Sequence, residues 1–263
     1  MADSSLLIEL KDDVYALTLK RPKANAFDDE MVAQLQGALR EAKKNAEIRC
    51  VLLKAEGKLF SAGQDVSALG GEGEEVSFLA HLRKNYNPLI KQMRELEKPI
   101  LGAINGATAG AALGIALACD LRIAAEEARF VVGFGGIALA PDSAVSLMLP
   151  LIIGLGRASQ ATFFNEPIDA QQALEWGLVN TVVAGDELEE RAWEWAMRLA
   201  DGPVGAMGLS KRDFNRALLP HLDEVLDYEA QNQEVAGSSA EHKEGVEAFL
   251  GKRAPNYRGT NKS

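Results

Sequence analysis

The chain has 263 residues, 47% of them apolar, and its 28 Lys and Arg against 38 Asp and Glu give a net charge of −10. A surface that acidic repels phosphate backbones, so nucleic-acid binding through bulk charge is not expected, and an anionic ligand would need a local basic patch. Two cysteines and three histidines (His81, His221 and His242) allow neither a disulfide framework nor a four-cysteine zinc site. They point to a reducing, cytoplasmic compartment and leave proton transfer to a carboxylate.

Met1 to Lys11 carries Asp3, Glu9 and Lys11 and lacks the basic start and apolar stretch of a signal peptide, so a targeting segment is not expected. Alternating apolar positions in Leu6 to Leu10 and Val14 to Lys20, joined by the polar turn Lys11-Asp12-Asp13, predict an antiparallel hairpin. Asp28 then caps a helix with Val32, Leu35, Leu39 and Ala42 on one face. A strand from Cys50 to Lys54 follows, then a loop, a helix ending near Glu97 and a strand from Pro99 to Ile104. This alternation defines an α/β domain. The loop has two halves: Lys58 to Asp65, directly after the strand, and the acidic, glycine-rich Gly70 to Glu75, expected to be mobile.

Ile100 to Cys119 is free of charge, but Gly102, Asn105, Gly106, Thr108, Gly110 and Gly114 interrupt it. It reads as a buried strand, a glycine-rich turn and a buried helix, not as a membrane span. Beyond Val182 the pattern is helical, with starts at Asp186, Pro203 and Ser239. The expected organisation is an α/β core over 1–200 and a helical region over 201–263, of the kind that packs against another subunit.

Phe130 to Gly156 runs for 27 residues with Asp142 as its only charged side chain. Asp142 fits two roles. Desolvation would raise its pKa and suit it to accept and return a proton near neutral pH. Alternatively, Pro141-Asp142-Ser143 is a good helix start, where an N-cap aspartate is held ionised by backbone N–H groups.

Ser61-Ala62-Gly63-Gln64 and Asn105 to Ala112 both follow strands, and their small residues let a ligand oxygen approach peptide N–H groups. Two such donors make an oxyanion hole, although close helix–strand packing explains small residues equally well. No dinucleotide spacing, no Gly-Lys-Ser/Thr loop and no Gly-x-Ser-x-Gly elbow is present, which weighs against nucleotide-dependent redox chemistry and serine hydrolysis. Basic residues gather at Lys20, Arg21 and Lys23 and at Lys252, Arg253 and Arg258; each group is either a solvated face or the place for a polyanion.

From about Val14 to Gly259 the chain resembles the crotonase superfamily, the enoyl-CoA hydratase/isomerase family. The resemblance rests on motifs in register: Lys20 to Phe27, Phe60 to Asp65, Ile104 through Gly110, Ala118-Cys119-Asp120, Ala173 to Val179, and Glu244 to Arg253. It implies a ClpP-like spiral of ββα units with a helical C-terminal trimerisation region, in a homotrimer or a hexamer built as a dimer of trimers. It further implies an acyl-CoA substrate, with coenzyme A as part of the thioester, and neither a separate cofactor nor a metal. By motif position the backbone N–H groups of Gln64 and Ala111 form the oxyanion hole; alanine replaces the family's usual glycine at the second. Lys23, Ala24, Asn25, Ser61 and Ala62 match the adenine and pantetheine-binding edge, and Phe249 and Lys252 match positions that contact CoA from a neighbouring subunit.

The two glutamates of the hydratases correspond to Gly114 and Phe134, neither of which transfers a proton. Asn87 stands where the chlorobenzoyl-CoA dehalogenases carry a histidine, so dehalogenation is a weaker alternative. Asn85 to Ile90, Leu139 to Ser143 and Ala236 to Glu241 are most similar to the bacterial 1,2-epoxyphenylacetyl-CoA isomerases, which use an aspartate at the position of Asp142. The resemblance therefore favours the catalytic role of Asp142 over the cap. It implies an enoyl-CoA isomerase acting by 1,3-proton transfer, in phenylacetate or fatty acid degradation. A hydratase and a CoA-thioester binding protein without chemistry are the alternatives.

Overall fold

A computed structural model describes residues 5–22, 24–65 and 77–260. Lys23 and the loop half Gly70 to Glu75 lie outside them. Strands β1 (Leu6–Lys11) and β2 (Val14–Leu19) form the expected hairpin. Asp12 and Asp13 turn it with positive φ at both positions, the backbone that matches the twist of the flanking strands. Helix α1 (Asp29–Lys44) is capped by Asp28, whose side chain accepts from the Met31 N–H. Next come β3 (Cys50–Ala55), α2 (Phe78–Lys84) and α3 (Tyr86–Glu95). The single helix expected before Glu97 is thus two, broken at Asn85, which caps one and starts the other.

Strand β4 (Ile100–Ile104) leads through the short β5 (Ala107–Ala109) into α4 (Ala111–Ala118), every residue of which is buried. The charge-free stretch is therefore a core element. Among the described residues no helix is long and apolar enough to cross a membrane. Strands β6 (Leu121–Ala125) and β7 (Arg129–Val131) precede α5 (Val145–Ile153) and α6 (Leu155–Phe164). Then come β8 (Ile168–Asp169), α7 (Ala170–Glu175) and β9 (Thr181–Val183). The chain continues with α8 (Leu188–Ala200), α9 (Val204–Leu218), α10 (Leu222–Gly237) and α11 (Ala240–Leu250). The start of α10 after His221 carries none of the capping residues that marked the other starts.

The main sheet runs β1-β2-β3-β4-β6-β9, parallel from β2 onward, and a second sheet runs β5-β7-β8. Strand alternation divides the core. Val14, Ala16, Leu52, Leu101 and Ile123 face Ala192 and Ala196 of α8, while Leu17, Leu19, Val51 and Leu53 face α1 and α3 on the other side. Leu222, Leu226 and Ala230 of α10 belong to this second, larger cluster. The helical region expected for assembly is thus also part of the subunit's own core.

Candidate active site

The turn from β5 into α4 passes through Gly110 at φ 57 and ψ −128, a conformation open only to glycine. Ala111 is the first residue of α4, and its N–H lies at the positive end of that buried helix. The other turn approaches from β3. Gly63 has φ 87, and a Cβ there would stand 2.6 Å from the Ala109 carbonyl oxygen and 3.5 Å from the Ala111 nitrogen. That contact brings the backbone of Gln64 beside the start of α4. Among the described residues neither the Gln64 nor the Ala111 N–H donates to a protein acceptor. The side chain of Gln64 is anchored separately: its Oε1 accepts from the Tyr86 hydroxyl and from His81 Nε2, the latter at 3.2 Å. His81 Nδ1 faces the Asn85 amide at 3.0 Å, and burial lowers the His81 pKa. A neutral, Nε2-protonated ring therefore suits this position.

Asp142 is 7% exposed. Its Oδ1 accepts from the Ser143 hydroxyl and its Oδ2 from Gln233 Nε2, both at 2.7 Å. Burial pushes its pKa up to about 6, against the pull of these two hydrogen bonds. The N-cap alternative for Asp142 is corrected here. Residue Ala144 caps α5, and no α5 N–H bonds to the Asp142 carboxylate. That task falls to Glu229 on α10, whose carboxylate accepts from the Ala144 N–H (2.8 Å), the Ser146 N–H (3.0 Å) and the Ser146 hydroxyl (2.5 Å). Ser143 and Ala144 both have positive φ, 55 and 61, so the turn that presents Asp142 is strained for residues with a Cβ. Glu229 grips it from across the core. Burial, with a contribution from Asp142, raises the Glu229 pKa to about 7.

A cleft of about 950 Å³ brings together Ala62, Gln64, Ala111, Asp142 and Phe249 of the expected site residues, with Gln233 beside them. Phe134 lines the cleft with other apolar groups. The remaining expected ligand residues are placed differently. Asn25 is buried, accepting from the Arg21 N–H and donating to the Glu56 and Leu59 carbonyls. Ser61 Oγ donates to the Asn25 carbonyl and accepts from the Gly63 N–H. Both side chains thus hold the turn together and are not turned outward. Ala24, at φ 68, accepts the Ala62 N–H. Lys252 is exposed after α11, and Lys23 is outside the described residues. Of the first basic group, Lys20 pairs with Glu56, and Arg21 pairs with Asp28 and Asp65, so these charges are already largely compensated. Asn87 donates to the Leu226 carbonyl and serves the packing of α3 on α10.

Sequence reasoning missed Glu229 and Gln233. The signal was periodicity: Leu222, Leu226, Glu229, Ala230 and Gln233 form one helical stripe, and all five are buried. Two polar residues on an apolar stripe mark buried polar work.

At the hydratase position, a Cβ on Gly114 would stand 2.4 Å from the Ser143 carbonyl oxygen and 2.5 Å from its Cβ. A side chain there is excluded by the turn that carries Asp142. Gly114→Ala is therefore expected to lower the unfolding free energy by about 1–3 kcal/mol through overpacking and to reduce turnover by moving Asp142. Urea denaturation and steady-state kinetics check this, and a variant indistinguishable from wild type in both would show that the turn gives way freely.

A fold of this topology with two backbone N–H groups beside a buried aspartate in a cleft defines a class, and the likeness to known proteins specifies it. The sequence model described as enoyl-CoA hydratase/isomerase matches residues 9–260. The 1,2-epoxyphenylacetyl-CoA isomerase of Escherichia coli K12 is 38% identical, over 97% of this chain and 98% of its own. A probable enoyl-CoA hydratase of Rhodobacter capsulatus is 35% identical, over 98% and 100%. The crystal structure of enoyl-CoA hydratase/isomerase from Pseudoalteromonas atlantica T6c superposes with a TM-score of 0.87 at 33% identity, covering 96% of this chain and 99% of that one. The chain belongs to the enoyl-CoA hydratase/isomerase family, and its fold is the crotonase fold.

Proposed function

We propose that the protein is an enoyl-CoA isomerase that moves a double bond by 1,3-proton transfer. The observation that carries this reading is the buried carboxylate of Asp142: among the described residues that line the cleft, Asp65 and Glu234 are only partly buried, and by motif position Gly114 and Phe134 stand where hydration would need two glutamates. The thioester carbonyl of an acyl-CoA would accept from the Gln64 and Ala111 N–H groups, which stabilise negative charge as it develops on oxygen. The Asp142 carboxylate takes a proton from C2 of a 3-enoyl thioester, the electrons spread into a dienolate, and the same carboxyl returns a proton at C4. Ala62 and Phe249 flank the CoA portion, with Lys23 and Lys252 as candidate phosphate partners.

Pure protein given a 3-enoyl-CoA is expected to build up the conjugated 2-enoyl absorbance. Given a 2-enoyl-CoA, it is expected not to consume that absorbance by hydration; rapid hydration would overturn the proposal. A ring-epoxide thioester of the kind named for the Escherichia coli relative belongs in the same panel, because the same donors would polarise its carbonyl.

The base must be ionised to act, and the Asp142 pKa is about 6. The value of kcat/KM for the 3-enoyl thioester is therefore expected to be full above neutrality and to fall as pH drops through about 6. An acid limb near pH 4 would mean that an exposed carboxylate does the work.

Self-association as a trimer or a dimer of trimers is proposed in addition. It is supported by the exposed apolar residues Leu155, Phe163 and Phe164 and is checked by light scattering.

A further inference from the structure

The Asp142 carboxyl is held by partners that can reverse their roles. Ser143 Oγ and Gln233 Nε2 each donate to one oxygen at 2.7 Å, and among the described residues no arginine, lysine or histidine is bonded to it. A hydroxyl can donate or accept, and a primary amide carries both donors and an acceptor. The other groups facing Asp142 are Glu229 on α10 and Tyr86 on α3. His81 on α2, Asp65, Glu234, His242 and Lys243 line the rest of the cleft.

Gln233 is 1% exposed, and its Oε1 has no hydrogen-bond partner among the described residues. A half-turn of this amide exchanges Nε2 for Oε1 opposite Asp142 and breaks no other bond made by Oε1. The two protonation states of Asp142 ask for opposite partners. The carboxylate accepts an N–H at Oδ2, whereas a carboxylic O–H on that same oxygen, set against the N–H, is a buried donor without an acceptor, a costly state.

We propose that Gln233 is a positioning residue that follows the proton, donating Nε2–H to ionised Asp142 and accepting through Oε1 once Asp142 carries the substrate's proton. The proton lifted from C2 is thereby kept inside the cleft, away from solvent, and is the one handed back at C4. No group is consumed and no charge leaves the site. The inference rests on the isomerase reading above, and its test is divided so that the two can fail separately.

In the first arm, infrared difference spectra of the unliganded protein are recorded between pH 4 and 8, with Asp142→Asn identifying the carboxyl band. In the wild type an amide band of Gln233 is expected to shift together with the Asp142 carboxyl band. In Gln233→Met the coupled amide band is absent, and the Asp142 titration moves upward by about one pH unit because a donor to the ionised form is gone. In the second arm, a 3-enoyl-CoA deuterated at C2 is converted. The wild type is expected to retain most of the label at C4, Gln233→Met to lose it to solvent, and Gln233→Glu to keep it. The glutamate preserves the shape and, sharing one proton with Asp142, both donates and accepts.

A Gln233→Met protein with wild-type label retention and wild-type titration overturns the proposal, whatever its turnover. Should Gln233→Met not fold, the wild-type bands and the glutamate variant decide. Should the wild type leave the 3-enoyl thioester unchanged, the isomerase reading fails, and the infrared arm alone decides: amide and carboxyl bands that titrate independently overturn the role of Gln233.

Discussion

Asp142→Asn is expected to lower kcat on a 3-enoyl-CoA thioester by about 10³-fold, with KM and CoA affinity close to wild type. The reasons are local. Asparagine keeps the volume of aspartate and can still accept from Gln233 Nε2, so the cleft retains its shape and the Gln64 and Ala111 donors are untouched. What disappears is the group that takes the proton in the proposed mechanism. The substitution also has a stability signature with a defined sign. Folding raises the Asp142 pKa from 3.8 to about 6, so the folded chain binds this proton more tightly than the unfolded one. That contribution is fully present below about pH 4 and is lost as pH rises through about 6. Asp142→Asn is therefore expected to have a higher Tm than the wild type at pH 8, where the wild type holds a buried charge, and the advantage shrinks on acidification. Turnover near the wild-type rate with CoA binding unchanged would reduce Asp142 to a structural residue and favour a binding protein without chemistry.

Glu229→Ala is expected to produce the largest loss of stability among single substitutions around the site, about 3 kcal/mol. It strips the acceptor from two backbone N–H groups and one hydroxyl at the start of α5 and leaves a void beside α10. It also frees the Ser143-Ala144 turn, whose positive φ values are sustained only by their surroundings. Turnover should fall with stability, because that turn aims Asp142. Urea unfolding followed by circular dichroism measures the first effect and steady-state kinetics the second. A Glu229→Ala protein within about 0.5 kcal/mol of wild type would show that α5 caps itself. Glu229→Gln separates shape from charge. The Glu229 pKa is raised from 4.5 to about 7, so its stabilising contribution is present below about pH 4.5 and is lost as pH rises through about 7. The stability gap between wild type and Glu229→Gln should narrow over that window.

The hairpin, the Asp28-capped helix and the strand after it were legible because each carries a local signal: alternation, a cap, a run of apolar residues bounded by turns. The candidate donors were legible for a related reason. Gly63 and Gly110 occupy backbone that other residues resist, and that demand is written in the sequence as glycine beside small neighbours. Asp142 stood out through its apolar surroundings, but its role did not, since a capping aspartate and a desolvated base have the same local sequence. The choice depends on α10, roughly ninety residues onward, which supplies the cap through Glu229 and leaves Asp142 free. No local pattern predicts which of two carboxylates will reach a helix end. The break at Asn85 and the start of α10 were missed because neither carries a side chain that caps its helix. Reading Lys20 and Arg21 as the place for a polyanion, one of the two alternatives their sequence offered, counts charges without their partners, and the fold brings Glu56, Asp28 and Asp65 to them.

The contact between Gly114 and Ser143 also bears on descent. A lineage starting from this chain would acquire the first hydratase glutamate only at a cost in stability and in the placement of Asp142, because any Cβ at position 114 meets the backbone of the turn holding Asp142. The turn would have to be rebuilt first, and an intermediate with a displaced aspartate and no glutamate would have neither set of acids in working order. On the proposed reading the two chemistries are thus neighbours in fold and distant in mutational path, separated by the contacts of position 114 with Ser143 as well as by the replacement at Phe134.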